Sequence, residues 1–278
     1  MIGISSDSTC DLSAELVARF GIHTIPLSIV VGDRVYKDGR DITPEGLFSF
    51  VDAGENCRTA AVNVFEYIEY FRRLRQTYEK VVHVSLGSGF SSSHQNAKLA
   101  AAEVDGIYVV DSENLSTGTG LLVCRAAELA QAGRSAEEIC EAVTAAVPKV
   151  ETSFILSRLD YMAKGGRCSG ITAQTARILQ LRPCIEVVDG KMVVGRKYRG
   201  KLSKCLTEYV RHRLEGRSGL DLSRIFITHT VSDREVVEEV KETLAGLAGF
   251  QEVLETTAGC TIANHCGPDT LGILFMRA

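Results

Sequence analysis

Tryptophan is absent from this chain, and aromatic residues make up only 6% of it. So few rings exclude an aromatic stacking platform for single-stranded nucleic acid. No apolar stretch approaches the roughly 18 residues that a membrane-spanning helix needs, so no transmembrane segment is expected. The start, MIGISSDSTCDLSAEL, has neither a basic segment nor a long apolar run, and predicts no secretory signal. Charge of one sign is also scarce. The formal net charge is −4 over 278 residues, which gives no field favouring DNA, RNA or an anionic membrane surface. An anionic ligand must therefore be held by local donors.

Cysteine is not scarce, but its pattern is uninformative for bridges or metals. There are nine cysteines, an odd count, and none is paired in C-x-x-C spacing. Cys124, Cys140 and Cys205 fall in helical patterns as small hydrophobes. Free thiols fit a reducing, cytoplasmic compartment. No histidine or cysteine pair has zinc spacing, so no metal is expected. Neither a G-x-G-x-x-G fingerprint nor a Walker lysine is present, so no nucleotide cofactor is expected.

The chain has 45% apolar and 24% charged residues, enough for two cores. Short apolar runs alternate with helical patterns. Strands are expected at Ile2–Ser6, His23–Val31, Val81–Leu86 and Ile107–Val110. Helices are expected from about Ser13 and over roughly 64–78, 92–104, 115–132 and 135–148. This alternation implies a doubly wound, mainly parallel sheet. Ligands bind such sheets beyond the carboxyl ends of the strands, where the polar loops Asp7–Asp11, Gly87–Ser93 and Asp111–Asn114 fall.

The character changes near residue 150. A strand at Phe154–Leu159 leads into a glycine-rich turn, Tyr161–Gly170. Cys184–Val188 and Met192–Val194 flank Asp189-Gly190, which reads as a tight hairpin. Helices near 202–215 and 232–247, and strands near 225–229, 251–256 and 272–276, complete the pattern. The expected organisation is an N-terminal α/β lobe, 1–150, and a C-terminal α/β lobe, 151–278, with a ligand between them.

Four clusters are candidates for chemistry. Leu86-Gly87-Ser88-Gly89-Phe90-Ser91-Ser92-Ser93 lies where a strand gives way to a helix. Free backbone N–H groups and the helix dipole favour an anion there, although a serine-rich turn also serves as a plain helix cap. His265 sits between small residues in a Gly-Pro turn before a strand, able to donate, accept or carry charge. Lys164-Gly165-Gly166-Arg167 presents a guanidinium from a flexible turn, or else forms a helix C-cap. Arg196–Lys201 is a basic run after the hairpin, the kind of run that is usually a solvated strand end. Thr59 precedes a helix, where it would serve as a cap.

The order of these pieces is more specific than any one of them. Asp7-Ser8-Thr9-Cys10-Asp11-Leu12, the Ser91 loop, Lys164-Gly165-Gly166-Arg167, Arg182-Pro183, Asp189-Gly190, Arg199 and His265-x-Gly267-Pro268 follow one another along the whole chain. The sequence is similar to the DegV family, the fatty-acid-binding proteins that include the carrier subunit of bacterial fatty acid kinase. The resemblance implies a lipid-binding carrier, not an enzyme, with two α/β lobes around a fatty acid of about C14–C18, each buried methylene of which contributes roughly 0.8 kcal/mol. It implies that Thr59 and Ser91 hold the carboxylate, with His265, Arg167, Ser92 and Gly267 beside it and no catalytic residue. It also implies that Arg199 faces a separate ATP-dependent kinase, which would phosphorylate the carboxylate and feed phospholipid synthesis. The usual pattern has T-S-Q-P where this chain has Thr59-Ala60-Ala61-Val62, and L-S-G-T-Y where it has Phe90-Ser91-Ser92-Ser93-His94.

Two other readings use the same residues. Ser91, His265 and Asp7 or Asp111 are the residue types of a serine hydrolase triad, though Gly89-Phe90-Ser91-Ser92-Ser93 is not a G-x-S-x-G elbow. His265 is also the residue type of a phosphate carrier.

Overall fold

The computed structural model describes residues 1–168 and 181–278. The first half runs β1 (Ile2–Asp7), α1 (Ala14–Phe20), β2 (Ile22–Ile25), β3 (Ser28–Val31), β4 (Arg34–Lys37), α2 (Pro44–Asp52) and β5 (Cys57–Ala60). It continues through α3 (Val64–Arg75), β6 (Lys80–Ser85), α4 (Ser93–Ala101), β7 (Ile107–Asp111), α5 (Ser116–Gln131) and α6 (Ala136–Ala146). Four of these strands form a parallel sheet in the order β2-β1-β6-β7. β1 and β6 are buried along almost their whole length, as strands covered by helices on both faces are, and β1 carries Ser5, Ser6 and Asp7 into that interior.

The expected strand His23–Val31 is two strands in different sheets. Pro26 has no N–H to give a ladder, and the chain turns there. β3 then joins β4 and β5 in a small antiparallel sheet. Thr59 lies in β5 and does not cap a helix. Asn63 caps α3 instead, in a reciprocal box with Glu66. The intervening α2 was legible but not expected: Thr43 caps it and Pro44 opens it.

The second half runs β8 (Val150–Ile155), α7 (Leu159–Gly165), β9 (Leu181–Val188), β10 (Lys191–Arg199), α8 (Leu202–Leu214) and β11 (Leu220–His229). It ends with α9 (Arg234–Ala245), β12 (Glu252–Thr257), α10 (Cys260–Cys266) and β13 (Leu271–Arg277). Its sheet has the order β10-β9-β8-β13-β11-β12, and only β11 and β12 are parallel. The hairpin turns at Asp189 and Gly190, both with positive φ (49° and 69°), as its Asp-Gly predicts.

Two expectations near residue 150 are corrected. The strand begins at Val150 and ends at Ile155, and Tyr161–Gly165 is helix, not turn. Gly166, at φ +65°, is the left-handed cap that ends α7. Residues 169 and 170 of that expected turn lie outside the described residues. The basic stretch Arg196–Arg199 belongs to β10, with Tyr198 buried.

The cores cross residue 150. Helices α5 and α6 pack their apolar faces against Val82 and Val84 of the parallel sheet and also against Phe226, Leu274 and Met276 of the six-stranded one. The short helix α10 sits with Cys260 and Ala263 on Ile29, Val31 and Leu47 of the first half. That crossing sets up the site.

Candidate functional site

Helix α10 is anchored by carboxylates from distant sequence. Asp38 accepts hydrogen bonds from the N–H groups of Cys260 at 2.8 Å and Thr261 at 3.1 Å. Asp11 accepts from the Gly259 N–H at 2.9 Å and from the Ser116 hydroxyl at 2.5 Å. These satisfy N–H groups that the first turn of a helix leaves without intrahelical partners. Burial pushes the Asp11 carboxyl well above its ordinary range, against the pull of Ser116 and Gly259.

The other end of α10 carries His265. Its Nε2 lies 3.0 Å from the Thr59 hydroxyl on β5. Burial pulls the imidazole down to about 4, and the Arg167 guanidinium pulls the same way, so the ring is neutral at pH 7. Nδ1 is buried without a partner. It abuts Gly165, where a Cβ would stand 2.3 Å from that nitrogen. Arg167 is exposed, and its Nη1 donates to the Gly165 carbonyl at 2.7 Å.

The serine loop between β6 and α4 is clamped by its glycines. A Cβ on Gly87 would lie 2.8 Å from the Asn114 nitrogen, and one on Gly89 2.3 Å from the Gly190 carbonyl oxygen. The hairpin of the second half thus closes directly on the loop. Ser91 Oγ accepts from the Ser93 N–H at 3.1 Å and pairs with Ser93 Oγ at 3.0 Å. Ser91 is therefore a cap for α4 as well as a site candidate, whereas Ser92 makes no side-chain cap.

Thr59, Ser91, Ser92, Arg167 and His265 line one cavity of about 160 Å³ whose other walls include Leu86, Phe90, Leu115, Phe154, Met162 and Ile262. Thr59, Arg167 and His265 also border an outer polar cleft of about 600 Å³ with Arg58, Lys164 and Asn264. The Thr59–His265 pair stands on the wall common to both. On the inner side, Leu115, Phe154, Ile262 and Cys266 are shared with a further apolar chamber of about 30 Å³ that reaches Leu274. One polar end and one apolar end suit an amphiphile with a single anionic group.

The whole chain, residues 1–278, matches the profile of the DegV family, described as uncharacterised protein. The chain belongs to the DegV family. A DegV domain-containing protein of Caldanaerobacter subterraneus subsp. tengcongensis is 31% identical over 99% of this chain and 98% of its own. Another, from Deinococcus radiodurans, is 29% identical over 98% and 97%. Solved DegV structures superpose along the full length. A fatty-acid-binding DegV family protein from Thermus thermophilus gives a TM-score of 0.89 at 27% identity, covering 100% of this chain and 99% of that one. A stearic-acid-binding protein from Eubacterium ventriosum gives 0.83 at 26% identity, covering 100% and 98%.

In this DegV family member, five of the expected site residues converge and two stand apart. Gly267, at φ +75°, ends α10 beside the Tyr161 ring, which a Cβ would meet at 2.8 Å. It shapes the helix end and does not line the cavity. Arg199 lies exposed on β10, away from the cavity.

No Ser–His–Asp relay is assembled among the described residues. Ser91 pairs with Ser93 and His265 with Thr59. Asp7 is spent on the Leu86 and Thr9 N–H groups, and Asp111 on those of Ser88 and Glu113. The buried Nδ1 of His265 against Gly165 is likewise a poor seat for a phosphoryl group. No group of three or more metal-ligating side chains occurs among the described residues. No helix among them is long and apolar enough to cross a membrane.

The residues that sequence reasoning did not select are Asp38, Gly165 and Thr261. Asp38 offered only a polar turn, and its partner Cys260 is 222 positions away. Gly165 was visible within its motif, but its contact with His265 was not.

Proposed function

We propose that the protein is a carrier for a long-chain fatty acid of about C14–C18, without catalytic chemistry of its own. The tail occupies the apolar cavity and inner chamber. The carboxylate sits at Thr59, Ser91 and His265, with Ser92 and Arg167 at its rim. The observation that carries this reading is the Thr59–His265 pair on the wall between a mainly apolar cavity and a cleft bordered by Arg58, Lys164 and Asn264. The fatty-acid binding of solved relatives at 26–27% identity supports it.

The chemistry is balanced as follows. Each buried methylene contributes roughly 0.8 kcal/mol, so a sixteen-carbon tail offers on the order of 10 kcal/mol before the costs of binding. That offsets desolvation of the carboxylate only if its oxygens find donors. With the proton on Nε2, His265 donates to Thr59 Oγ1, and the Thr59 hydroxyl hydrogen is left for the carboxylate. With Ser93 Oγ as the donor of the hydroxyl pair, Ser91 likewise keeps its hydroxyl hydrogen for the carboxylate. The nearest donors are neutral, which leaves the carboxylate nucleophilic. The main cavity and the inner chamber share Leu115, Phe154, Ile262 and Cys266, and the tail runs from the first into the second past those side chains.

We also assign the outer cleft as the side from which a separate ATP-dependent kinase reaches the carboxylate, with Arg199 on the partner-facing surface. Organic extraction of the purified protein followed by lipid mass spectrometry tests the core of the reading. A stoichiometric acyl chain, or uptake of added palmitate or oleate, is expected. Absence of both bound lipid and uptake by the folded protein would overturn it. For the partner, acyl phosphate should form when loaded protein, kinase subunit and ATP are combined, and Arg199→Ala should slow it without changing palmitate affinity.

A further inference from the structure

Thr261 stands in the wall of the apolar cavity with its hydroxyl buried and unpaired. The residue is 4% exposed, lines the cavity and does not border the outer cleft. Its Oγ1 is buried and has no hydrogen-bond partner. Its backbone N–H is taken by Asp38, and at the second position of α10 no preceding helical carbonyl is within reach of its hydroxyl. Every other buried threonine among the described residues has a partner. Thr9 bonds to Asp7, Thr117 and Thr256 to Thr228, Thr119 to Ser112, Thr152 to Asn114 and Thr270 to the Cys266 carbonyl. A buried hydroxyl without a partner is costlier than the methyl group of valine in the same space. The cavity wall therefore holds a buried polar group that an unsubstituted acyl chain leaves unsatisfied.

The position of that hydroxyl along the ligand follows from the helix. Thr261 and His265 are four residues apart, on one face of α10 and separated by a rise of roughly 6 Å. His265 marks the carboxylate end, because it alone of the two borders the cleft lined by Arg58, Lys164 and Asn264. Thr261 thus lies beside the first few carbons of the chain, before the inner chamber, which it does not line.

We propose that Thr261 is a specificity residue that hydrogen-bonds an oxygen substituent on the carboxyl-proximal carbons, so that the favoured ligands are fatty acids hydroxylated near the carboxyl group. This rests on the fatty-acid reading above. The test is titration calorimetry of the delipidated full chain with palmitate, 3-hydroxypalmitate and 16-hydroxypalmitate. Wild type should bind 3-hydroxypalmitate roughly tenfold more tightly than palmitate, the worth of one buried hydrogen bond. A hydroxyl at the far end should bring no gain. Thr261→Val should abolish the preference, with palmitate binding unchanged or tighter, and Thr261→Ser should restore it. Equal affinity of wild type for palmitate and 3-hydroxypalmitate overturns the proposal and leaves the carrier reading intact. So does a Thr261→Val variant that loses palmitate and 3-hydroxypalmitate alike, since the hydroxyl would then serve the carboxylate. Failure of folded wild type to bind any of the three overturns the carrier reading itself.

Discussion

Thr59 Oγ1 and His265 Nε2 stand 3.0 Å apart, although their residues are 206 positions apart in sequence. One comes from an edge strand of the small sheet and the other from the last turn of α10. Thr59→Val keeps the β-branched shape that suits a strand and removes only the hydroxyl. Palmitate affinity should fall roughly tenfold, with the melting temperature of the lipid-free protein nearly unchanged. Thr59→Ser should recover most of the affinity. Wild-type affinity in Thr59→Val, measured by calorimetry, would remove Thr59 from the carboxylate site.

Ser91 has two jobs, so its replacement should be felt twice. It accepts the Ser93 N–H at the start of α4, and loss of such a cap costs about 0.5–2 kcal/mol. Ser91→Ala should therefore lower both thermal stability and lipid affinity. Ser93→Ala is the control, because it keeps the backbone N–H and loses only the paired hydroxyl. It should leave the α4 cap intact. A Ser91→Ala variant that loses stability but binds palmitate normally would reduce Ser91 to a cap.

Gly165 is where the site tolerates least. A Cβ there would stand 2.3 Å from His265 Nδ1, closer than real contacts allow. The imidazole must move, and Thr59 loses its partner. Gly165→Ala has an allowed backbone for alanine within α7, so the fold should survive while palmitate affinity drops at least tenfold. Gly166→Ala, by contrast, strains the left-handed cap at φ +65° but meets no atom within 4 Å. It should lose about 1 kcal/mol of stability and little binding. The reverse ranking in affinity would refute this account of the imidazole.

The parallel sheet and the Asp189-Gly190 hairpin were legible because period and turn chemistry are local. Residues that meet through tertiary packing were not. Pro26 was in plain sight, yet the apolar run from His23 to Val31 masked the break between two sheets. Lys164-Gly165-Gly166-Arg167 was read either as a turn presenting Arg167 or as a helix C-cap, and the second holds, since Gly166 ends α7 with Lys164 in its last turn. The expected cavity residues Thr59, Ser91 and His265 came from motif order, not from geometry. The Asp38 anchor of α10 had no local signal, since a single aspartate in a polar turn fits many roles.

Asp38 therefore gives the next prediction. Its two oxygens hold the first N–H groups of α10, from Cys260 and Thr261. Asp38→Ala leaves both N–H groups buried and unpaired, at about 1–3 kcal/mol each. Urea denaturation should show a loss within that range or its sum, and palmitate affinity should fall because α10 carries His265. Asp38→Asn keeps one acceptor and should fall between alanine and wild type. Unchanged stability in Asp38→Ala would mean that α10 is anchored by Asp11 alone.

The buried histidines make stability depend on pH in a definite direction. His83 bonds to the Ser5 hydroxyl, faces the rings of Tyr67 and Phe71, and is held down to about 3 by burial. The folded protein keeps it neutral, whereas the unfolded chain takes up its proton near the ordinary histidine value of about 6.5. Between those values the unfolded state binds more protons, so this contribution is complete above about pH 6.5 and is withdrawn as pH falls. His265, held to about 4, acts in the same direction. Asp7 and Asp11 act oppositely. Burial raises both carboxyls, so the folded protein keeps protons that the unfolded chain releases. Comparing wild type with His83→Gln cancels the aspartates and His265. From pH 6.5 to 4.5 wild type should lose about 2–3 kcal/mol more than the variant, at roughly 1.4 kcal/mol per pH unit. Urea unfolding of both proteins at the two pH values measures this difference directly. Parallel losses would mean that His83 already carries its proton in the folded state.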